Sequence, residues 1–284
     1  MRKDDERMGF APVKDKPTLT EISPHLTPKN LIGKQFGKGT FNNIKVALVG
    51  YCPRPGQLDK YNPQNTTDQY FIHVPPASVQ ICNYNKMEFL SVVHVYGGPV
   101  SSALIEELAY YKIKYILAYG LAGGLGTKNQ KLGDYYLVEE ALARDGTTPH
   151  YTNKKLISSS RFLNSKIKEL AKNTGFPIFM RVQALTADAI YREYARELAS
   201  AKKAGCDIVN CDSSHLFAVS RVVGIKSTEC GVISDVVKAS GKGWDSTLAK
   251  MLKSDNTPEP SALDLAGKIV KFYVETLMPD LMGV

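Results

Sequence analysis

The feature that most constrains the fold is an alternation of short apolar runs with segments of helical periodicity. The runs 44–51, 87–96 and 115–124 are typical of buried strands, and two of them lead into glycine or proline turns. Between the last two runs, residues 101–113 repeat apolar side chains at helical spacing, after serines suited to capping. This alternation predicts a single α/β domain with a central mixed, mostly parallel sheet flanked by helices.

The second half of the chain continues the same alternation. Strand-like segments are followed by helical segments, three of which run into a glycine, a common helix stop: Gly175, Gly205 and Gly224. The strand-like segments are 134–146, 181–189, 207–212 and 227–237, and the helical ones are 161–175, 191–205, 213–224 and 260–278. Ligands of such sheets bind at the carboxyl ends of strands, so polar residues at those ends are the candidates for function.

The domain boundary is predicted near Asn43. Residues 1–43 mix lysine, proline, threonine and aspartate without a sustained period, which predicts an extended N-terminal arm before a domain at 44–284. No apolar stretch is long enough for a membrane span, and the first residues contain no secretory signal. We expect a cytoplasmic protein without a membrane partner.

Charge and cysteine content narrow the function classes. The net charge of +8 suits a small anionic substrate better than nucleic acid, because no basic run is interleaved with aromatic residues. The five cysteines are widely spaced, with no pair at metal-binding spacing, which indicates free thiols and no metal. These cysteines are Cys52, Cys82, Cys206, Cys211 and Cys230.

Two carboxylates at strand ends are the strongest candidates for chemistry. Asp235 interrupts the apolar segment 231–237, where burial of a charge is costly and raises the pKa of the carboxyl towards that of a useful proton donor. Asp212 stands where an apolar strand gives way to a helix. Capping of that helix is as good an interpretation of Asp212 as ligand binding.

Two glycine-rich segments complete the pattern. GGPVSSALIEEL (97–108) places glycine and serine at a helix N-terminus, which favours an anion, although a plain turn and cap is the commoner explanation. AYGLAGGLG (118–126) would let the backbone approach a ligand closely, but it is not a dinucleotide-binding fingerprint.

Taken in order, these segments resemble the nucleoside phosphorylase superfamily, from about Ile44 to the C-terminal helix. That superfamily includes purine nucleoside phosphorylases, uridine phosphorylases and methylthioadenosine nucleosidases. The segments 132–151 and 184–191 resemble its G-D and S-D-x-F-Y regions, and Ser234-Asp235 resembles its S-D motif. The resemblance implies cleavage of the N-glycosidic bond of a nucleoside.

The resemblance also implies residue roles. Asp235 would be the catalytic acid at N7 of a purine, because uridine phosphorylases generally lack that aspartate. Asp212 would bind ribose hydroxyls, as the remnant of an E-M-E motif that here reads Asn210-Cys211-Asp212. The residues expected around the nucleoside are Cys211, Asp212, Ile190, Tyr191, Ser234 and Arg196.

The phosphate half of the implied site departs from the superfamily pattern. Phosphate would be the co-substrate, with no other cofactor, held by Gly50, Arg54, Ser101 and Ser102. The R-V-G-[ST] segment reads Ala118 to Leu121 here, which removes its arginine and its hydroxyl, and Val100 replaces a serine. Loss of a charge-assisted phosphate contact costs about 1.5–3 kcal/mol.

Three functions therefore stay open. Phosphorolysis of a purine nucleoside to free base and ribose 1-phosphate is the first. A hydrolytic nucleosidase is the second, favoured by the segment G-L-A-G-G (120–124) but lacking a carboxylate in the loop after the first strand. A catalytically impaired nucleoside-binding relative is the third. The resemblance implies a homo-oligomer, a dimer or a trimer of dimers.

Overall fold

The computed structural model of the chain describes residues 24–177, 179–237, 244–246 and 261–283, with backbone alone for 244–246. The longer helices are α2 to α6, flanked by short helices α1 and α7. Their bounds are α1 Pro28–Leu31, α2 Gly98–Tyr110, α3 Arg161–Thr174, α4 Ala195–Lys203, α5 Ser213–Val223, α6 Ala262–Phe272 and α7 Met278–Met282. The strands are β1 Val46–Gly50, β2 Gln64–Asn65, β3 Val79–Tyr84, β4 Met87–Val92, β5 Tyr115–Gly124, β6 Tyr135–Ala143, β7 Leu156–Ser158, β8 Met180–Thr186, β9 Ile208–Asn210, β10 Lys226–Val237 and β11 Trp244–Ser246.

The sheet is mixed, as the sequence predicted. Strand β1 lies parallel to β4 and β5, and β5 lies parallel to β10. Strands β6, β8 and β9 are parallel to one another, whereas β10 with β6 and β9 with β5 are antiparallel pairs. The order β5–β10–β6–β8–β9 returns to β5, so these strands close into a small barrel that the sequence did not predict.

Two apolar clusters explain why the strands are buried on both faces. In β1, Ala47 and Val49 face one cluster and Val46 and Leu48 face the other. Helices α2 and α5 pack against the first cluster, and α3 and α6 pack against the second. A helix layer on each face is the reason that β1 has an uninterrupted apolar sequence.

Helix ends follow the predicted glycines. Gly175, Gly205 and Gly224 all have positive φ, the left-handed conformation that stops a helix. The helix predicted from Tyr191 begins later, at Ala195, because Ile190–Arg192 form a separate 3₁₀ turn.

The N-terminal segment departs from the predicted extended arm. Residues 1–23 lie outside the described residues, but α1 and a following 3₁₀ turn, Ile32–Lys34, continue into the domain. Ile32 and Phe41 are buried in the first apolar cluster. The prediction of an extended arm therefore does not hold for residues 24–43. Single apolar side chains anchor this stretch to the core, and its sequence has no helical or strand periodicity from which that anchoring could be predicted.

All five cysteines are free thiols, as the sequence predicted; Cys211 is partly exposed and the other four are buried. None of the helices described here has the length and apolar character needed to cross a membrane.

Candidate active site

The candidate site lies where β5, β9 and β10 meet. Strand β9 runs antiparallel to the carboxyl-terminal end of β5, pairing Val209 with Gly123, and so carries the chain back towards Gly120. Strand β10 runs parallel to β5 and pairs Asp235 with Gly123 after a register shift. The two predicted carboxylates, Asp212 and Asp235, are thereby brought to the same stretch of β5.

Asp212 is placed for a ligand rather than for capping. It occupies the N-cap position of α5, yet its side chain accepts no hydrogen bond from the helix. The residue is 5% exposed, and its carboxyl has no hydrogen-bond donor among the described residues. Because a buried carboxyl without a partner is costly, this arrangement indicates that a bound ligand supplies the missing donors or acceptors.

Glu229 is a second buried carboxyl that the sequence analysis missed. It is fully buried on β10 and accepts hydrogen bonds from Ser213 Oγ at 2.7 Å, Asn210 Nδ2 at 3.0 Å and Tyr136 Oη at 3.3 Å. The signal was available, because Glu229 lies in the predicted strand segment 227–237, which also contains Asp235. Burial and three hydrogen-bond donors fix the position of the Glu229 side chain in the site.

The carboxyls of Asp212 and Glu229 both lie near Gly120. Asp212 Oδ2 and Glu229 Oε1 each lie 3.7 Å from the position that a Cβ at Gly120 would occupy. Burial, reinforced by the charge of Glu229, raises the pKa of Asp212 well above its ordinary value. Burial also raises the pKa of Glu229, although its three donors oppose that shift. Both shifts favour the protonated forms of the two carboxyls.

Asp235 sits at a bulge of β10. The register with β5 shifts between Ile233 and Asp235, which turns this carboxyl against Gly123, where a Cβ would lie 2.8 Å from Asp235 Oδ2. Ser234 Oγ donates to Asp235 Oδ1 at 2.9 Å. Burial raises the pKa of Asp235 above its ordinary value, against the effect of that hydrogen bond. A raised pKa is the direction that the predicted role of Asp235 as a general acid requires.

The other predicted nucleoside residues surround these carboxyls less closely. Cys211 is partly exposed between Asn210 and Asp212, and burial raises the pKa of its thiol to about 12. Ile190 is 55% exposed and Tyr191 is 91% exposed, on the 3₁₀ turn before α4. Arg196 is exposed on α4. The structure does not bring Tyr191 or Arg196 into contact with the carboxyls, so their roles stay predictions.

The predicted phosphate side chains are engaged within the protein. Ser101 Oγ shares a hydrogen bond of 2.7 Å with Tyr51 Oη, and Ser102 Oγ donates to the Pro99 carbonyl at 3.1 Å. Arg54 donates to Asp59 at 2.7 Å and to Gln80 at 3.0 Å. Each of these three side chains is therefore hydrogen-bonded to another group of the protein.

Gly50 is closed off by Tyr119. A Cβ at Gly50 would lie 2.7 Å from Tyr119 Oη, and the Tyr119 ring is fully buried. The packing of Tyr119 therefore explains why position 50 is a glycine, and a phosphate contact of Gly50 stays a prediction.

The N-terminus of α2 retains the features of an anion site. Its N-cap, Gly97, has a φ of 81° and provides no side-chain cap. Thr147 and His215 crowd Gly98, where a Cβ would lie 2.1 Å from Thr147 Oγ1 and 3.4 Å from the His215 ring. His215 Nε2 donates to the Cys211 carbonyl at 2.8 Å, which links this helix end to the strand end that precedes Asp212. Backbone N–H groups at α2 thus remain for an oxyanion.

A cavity of about 770 Å³ lies elsewhere, between α3 and the β6–β8 pair, and contains none of the predicted site residues. Its charged side chains are paired with one another, as in Arg181 with Glu139 and Lys128 with Asp207. The convergence of polar groups at β5, β9 and β10, rather than cavity size, locates the candidate site.

An α/β domain with carboxylates gathered at strand ends defines a class of small-molecule enzymes. The family model described as the phosphorylase superfamily matches residues 57–263. The chain belongs to this superfamily, whose members process nucleosides.

One curated relative and several solved structures are similar to most of the chain. An uncharacterized protein of Acanthamoeba polyphaga mimivirus is 28% identical over 236 residues, which cover 82% of this chain and 92% of that protein. Purine nucleoside phosphorylase from Toxoplasma gondii, solved with immucillin-H, is similar with a TM-score of 0.63 at 19% identity, over 82% of this chain and 90% of that chain. A futalosine hydrolase mutant from Helicobacter pylori has a TM-score of 0.59 at 13% identity, over 81% and 98% of the two chains. The 5'-methylthioadenosine/S-adenosyl homocysteine nucleosidase of Campylobacter jejuni has a TM-score of 0.58 at 13% identity, over 84% and 99%. Both a phosphorylase and hydrolytic enzymes thus share the fold.

Proposed function

We propose that the chain cleaves the N-glycosidic bond of a purine nucleoside. The observation that carries this proposal is the buried Asp212 carboxyl, which has no hydrogen-bond partner in the described protein and lies beside the same half of β5 as Asp235. A sugar hydroxyl against Asp212 and a purine ring against Asp235 would satisfy both carboxyls.

The reaction follows from these positions. As the bond between C1′ and N9 breaks, its electron pair moves into the purine, and Asp235 transfers a proton to N7. An oxygen nucleophile forms the new bond to C1′ on the opposite face of the sugar, and a water nucleophile also releases one of its protons to solvent. Asp235 then regains its proton from solvent. Proton transfer by a positioned carboxyl typically contributes 10²- to 10⁴-fold in rate.

Phosphate at the N-terminus of α2 is the first candidate for that nucleophile. The helix end offers backbone N–H groups without a side-chain cap, beside the strand end that carries Asp212. The products would be free base and ribose 1-phosphate.

Water is the second candidate, and a specific observation favours it. Arg54, Ser101 and Ser102, the side chains predicted for phosphate, are all bound to groups of the protein itself. Hydrolysis needs none of them and would release free ribose.

One assay separates these reactions. The protein is incubated with inosine, adenosine, methylthioadenosine and uridine, with and without phosphate, and the sugar product is identified. Ribose 1-phosphate formed only with phosphate supports phosphorolysis, and free ribose without phosphate supports hydrolysis. Cleavage of uridine in preference to the purines contradicts the role of Asp235, and saturable binding without turnover contradicts an enzymatic function.

A further inference from the structure

We propose that Glu229 is a positioning residue that holds the negative charge of the buried carboxyl pair, so that Asp212 stays protonated in the resting protein and donates a hydrogen bond to an oxygen of the bound sugar. This inference rests on the proposed function for the identity of the ligand. The protonation state of Asp212 can be measured without it.

The distribution of donors decides which carboxyl is charged. Glu229 accepts from Ser213 and Asn210 at 2.7 and 3.0 Å, and from Tyr136 at 3.3 Å. Asp212 accepts from none of the described residues. Hydrogen bonds to a carboxylate stabilise its charged form, so Glu229 ionises before Asp212.

Ionisation of both carboxyls together is disfavoured, because they lie near the same buried glycine and repel each other. Each has an oxygen 3.7 Å from the same point at Gly120, and both side chains are buried. Like charges that share a buried site raise the pKa of one partner strongly. With Glu229 charged, the proton stays on Asp212.

None of the described titratable groups around the pair supplies a compensating cation. Those that face the pair from neighbouring segments are phenols and thiols whose pKa values are all raised, so they are neutral at pH 7. They are Tyr51, Cys52, Tyr96, Tyr136, Cys211, Cys230 and Tyr273. Two further carboxyls, Asp188 and Glu193, lie towards Cys211. These described neighbours therefore leave a second negative charge on the pair uncompensated.

The local packing serves to hold Glu229 in place. A Cβ at Gly231 would lie 2.2 Å from Tyr136 Oη, so the absence of a side chain there admits the tyrosine that donates to Glu229. Asn210 also donates to Glu229, and it stands at the end of β9, two residues before Asp212. Glu229 is therefore tied to the chain that positions Asp212.

The first test measures protonation by carbon-13 NMR of protein labelled at the aspartate carboxyl carbons, without nucleoside. The Asp212 signal is identified by its absence in Asp212→Asn. We expect a protonated Asp212 at pH 7 in the wild type, and a titration midpoint at least one pH unit lower in Glu229→Gln. An ionised Asp212 in the wild type at pH 7, or the same midpoint in both proteins, overturns the inference.

A second variant covers the case in which Glu229→Gln does not fold. Ser213→Ala removes the shortest of the three hydrogen bonds donated to Glu229 and destabilises its charge. We expect the Asp212 midpoint to fall in this variant too. An unchanged or raised midpoint contradicts the assignment of the charge to Glu229.

The second test compares substitutions of Asp212 in nucleoside cleavage. An asparagine is neutral and donates a hydrogen bond, as a protonated aspartate does. We expect Asp212→Asn to retain kcat/KM within tenfold of the wild type, and Asp212→Ala to lose at least a hundredfold. If both variants lose activity equally, an ionised acceptor is required and the inference is wrong.

Discussion

Ser234 donates a hydrogen bond of 2.9 Å to the carboxyl of its neighbour Asp235. Ser234 is 1% exposed, so water competes little for this bond. The bond stabilises the charged form of Asp235, whereas burial stabilises the neutral form, and burial has the larger effect on the pKa. The balance between the two sets the pH range in which Asp235 can donate a proton.

Asp235→Asn is expected to reduce purine cleavage by a factor of about 10² to 10⁴, because an amide cannot transfer a proton to N7. The fold is expected to survive, since asparagine has nearly the same shape. Steady-state rates with inosine measure the loss, and Asp68→Asn, at an exposed loop carboxyl, serves as the matched control. Near-normal rates in Asp235→Asn would exclude this residue as the acid.

Ser234→Ala is expected to move the pH profile of cleavage towards alkaline pH. Removal of the hydroxyl removes a contact that lowers the pKa of Asp235, so the pKa rises further. Because the acid must be protonated, activity is present below that pKa and is lost as pH rises through it. The descending limb of kcat/KM against pH therefore shifts upward in the variant. A shift in the other direction would show that Asp235 acts in its charged form.

Arg54→Ala is expected to change the KM for phosphate by less than about threefold. The guanidinium is already bound by Asp59 and Gln80, and the ion pair lies near the surface, where such pairs stabilise a protein by about 0–1 kcal/mol. Urea unfolding should therefore show only a small decrease in the free energy of unfolding of Arg54→Ala. A tenfold or larger rise in the KM for phosphate would show that Arg54 leaves Asp59 to bind the anion.

Tyr119→Phe is expected to leave the free energy of unfolding unchanged or to raise it by about 1 kcal/mol. The Tyr119 hydroxyl is buried and has no hydrogen-bond partner among the described residues, so its removal relieves an unpaired polar group. Thermal and urea unfolding measure the difference. A decrease in the free energy of unfolding above about 1 kcal/mol would indicate that an ordered water is hydrogen-bonded to the Tyr119 hydroxyl.

The strands and helices of the core could be predicted from the sequence because their burial imposes a period. Strand β5 matches the apolar run 115–124, and α3 ends before the predicted Gly175. The hairpin between β3 and β4 was missed because its turn residues, Asn85 and Lys86, lack the glycine that usually marks such a turn, although both adopt positive φ.

The site was predictable only in part. Asp212 and Asp235 stood out because a carboxyl beside apolar residues is costly to bury. Their relation to Glu229 depends on closure of the sheet, which brings β10 beside both β5 and β6 and cannot be obtained from the order of strands along the chain. The engagement of Arg54 by Asp59 likewise depends on side-chain geometry that spacing does not determine.

Gly120→Ala tests whether the sugar approaches between the two buried carboxyls. The added methyl group would lie 3.4 Å from Tyr51 Cβ and 3.7 Å from the nearest oxygens of Asp212 and Glu229, which are ordinary contact distances. We therefore expect a change in unfolding free energy below about 1 kcal/mol, as for a substitution without a steric clash.

The same methyl group would occupy space beside the Asp212 carboxyl that a sugar hydroxyl needs. Cleavage should lose at least tenfold in kcat/KM, mainly through KM, since the group obstructs binding rather than proton transfer. Gly56→Ala is the matched control, because no atom lies within 4 Å of a Cβ at that position. If Gly120→Ala kept the activity of Gly56→Ala, the sugar would have to bind away from Gly120, and Asp212 would lose its proposed contact with the ligand.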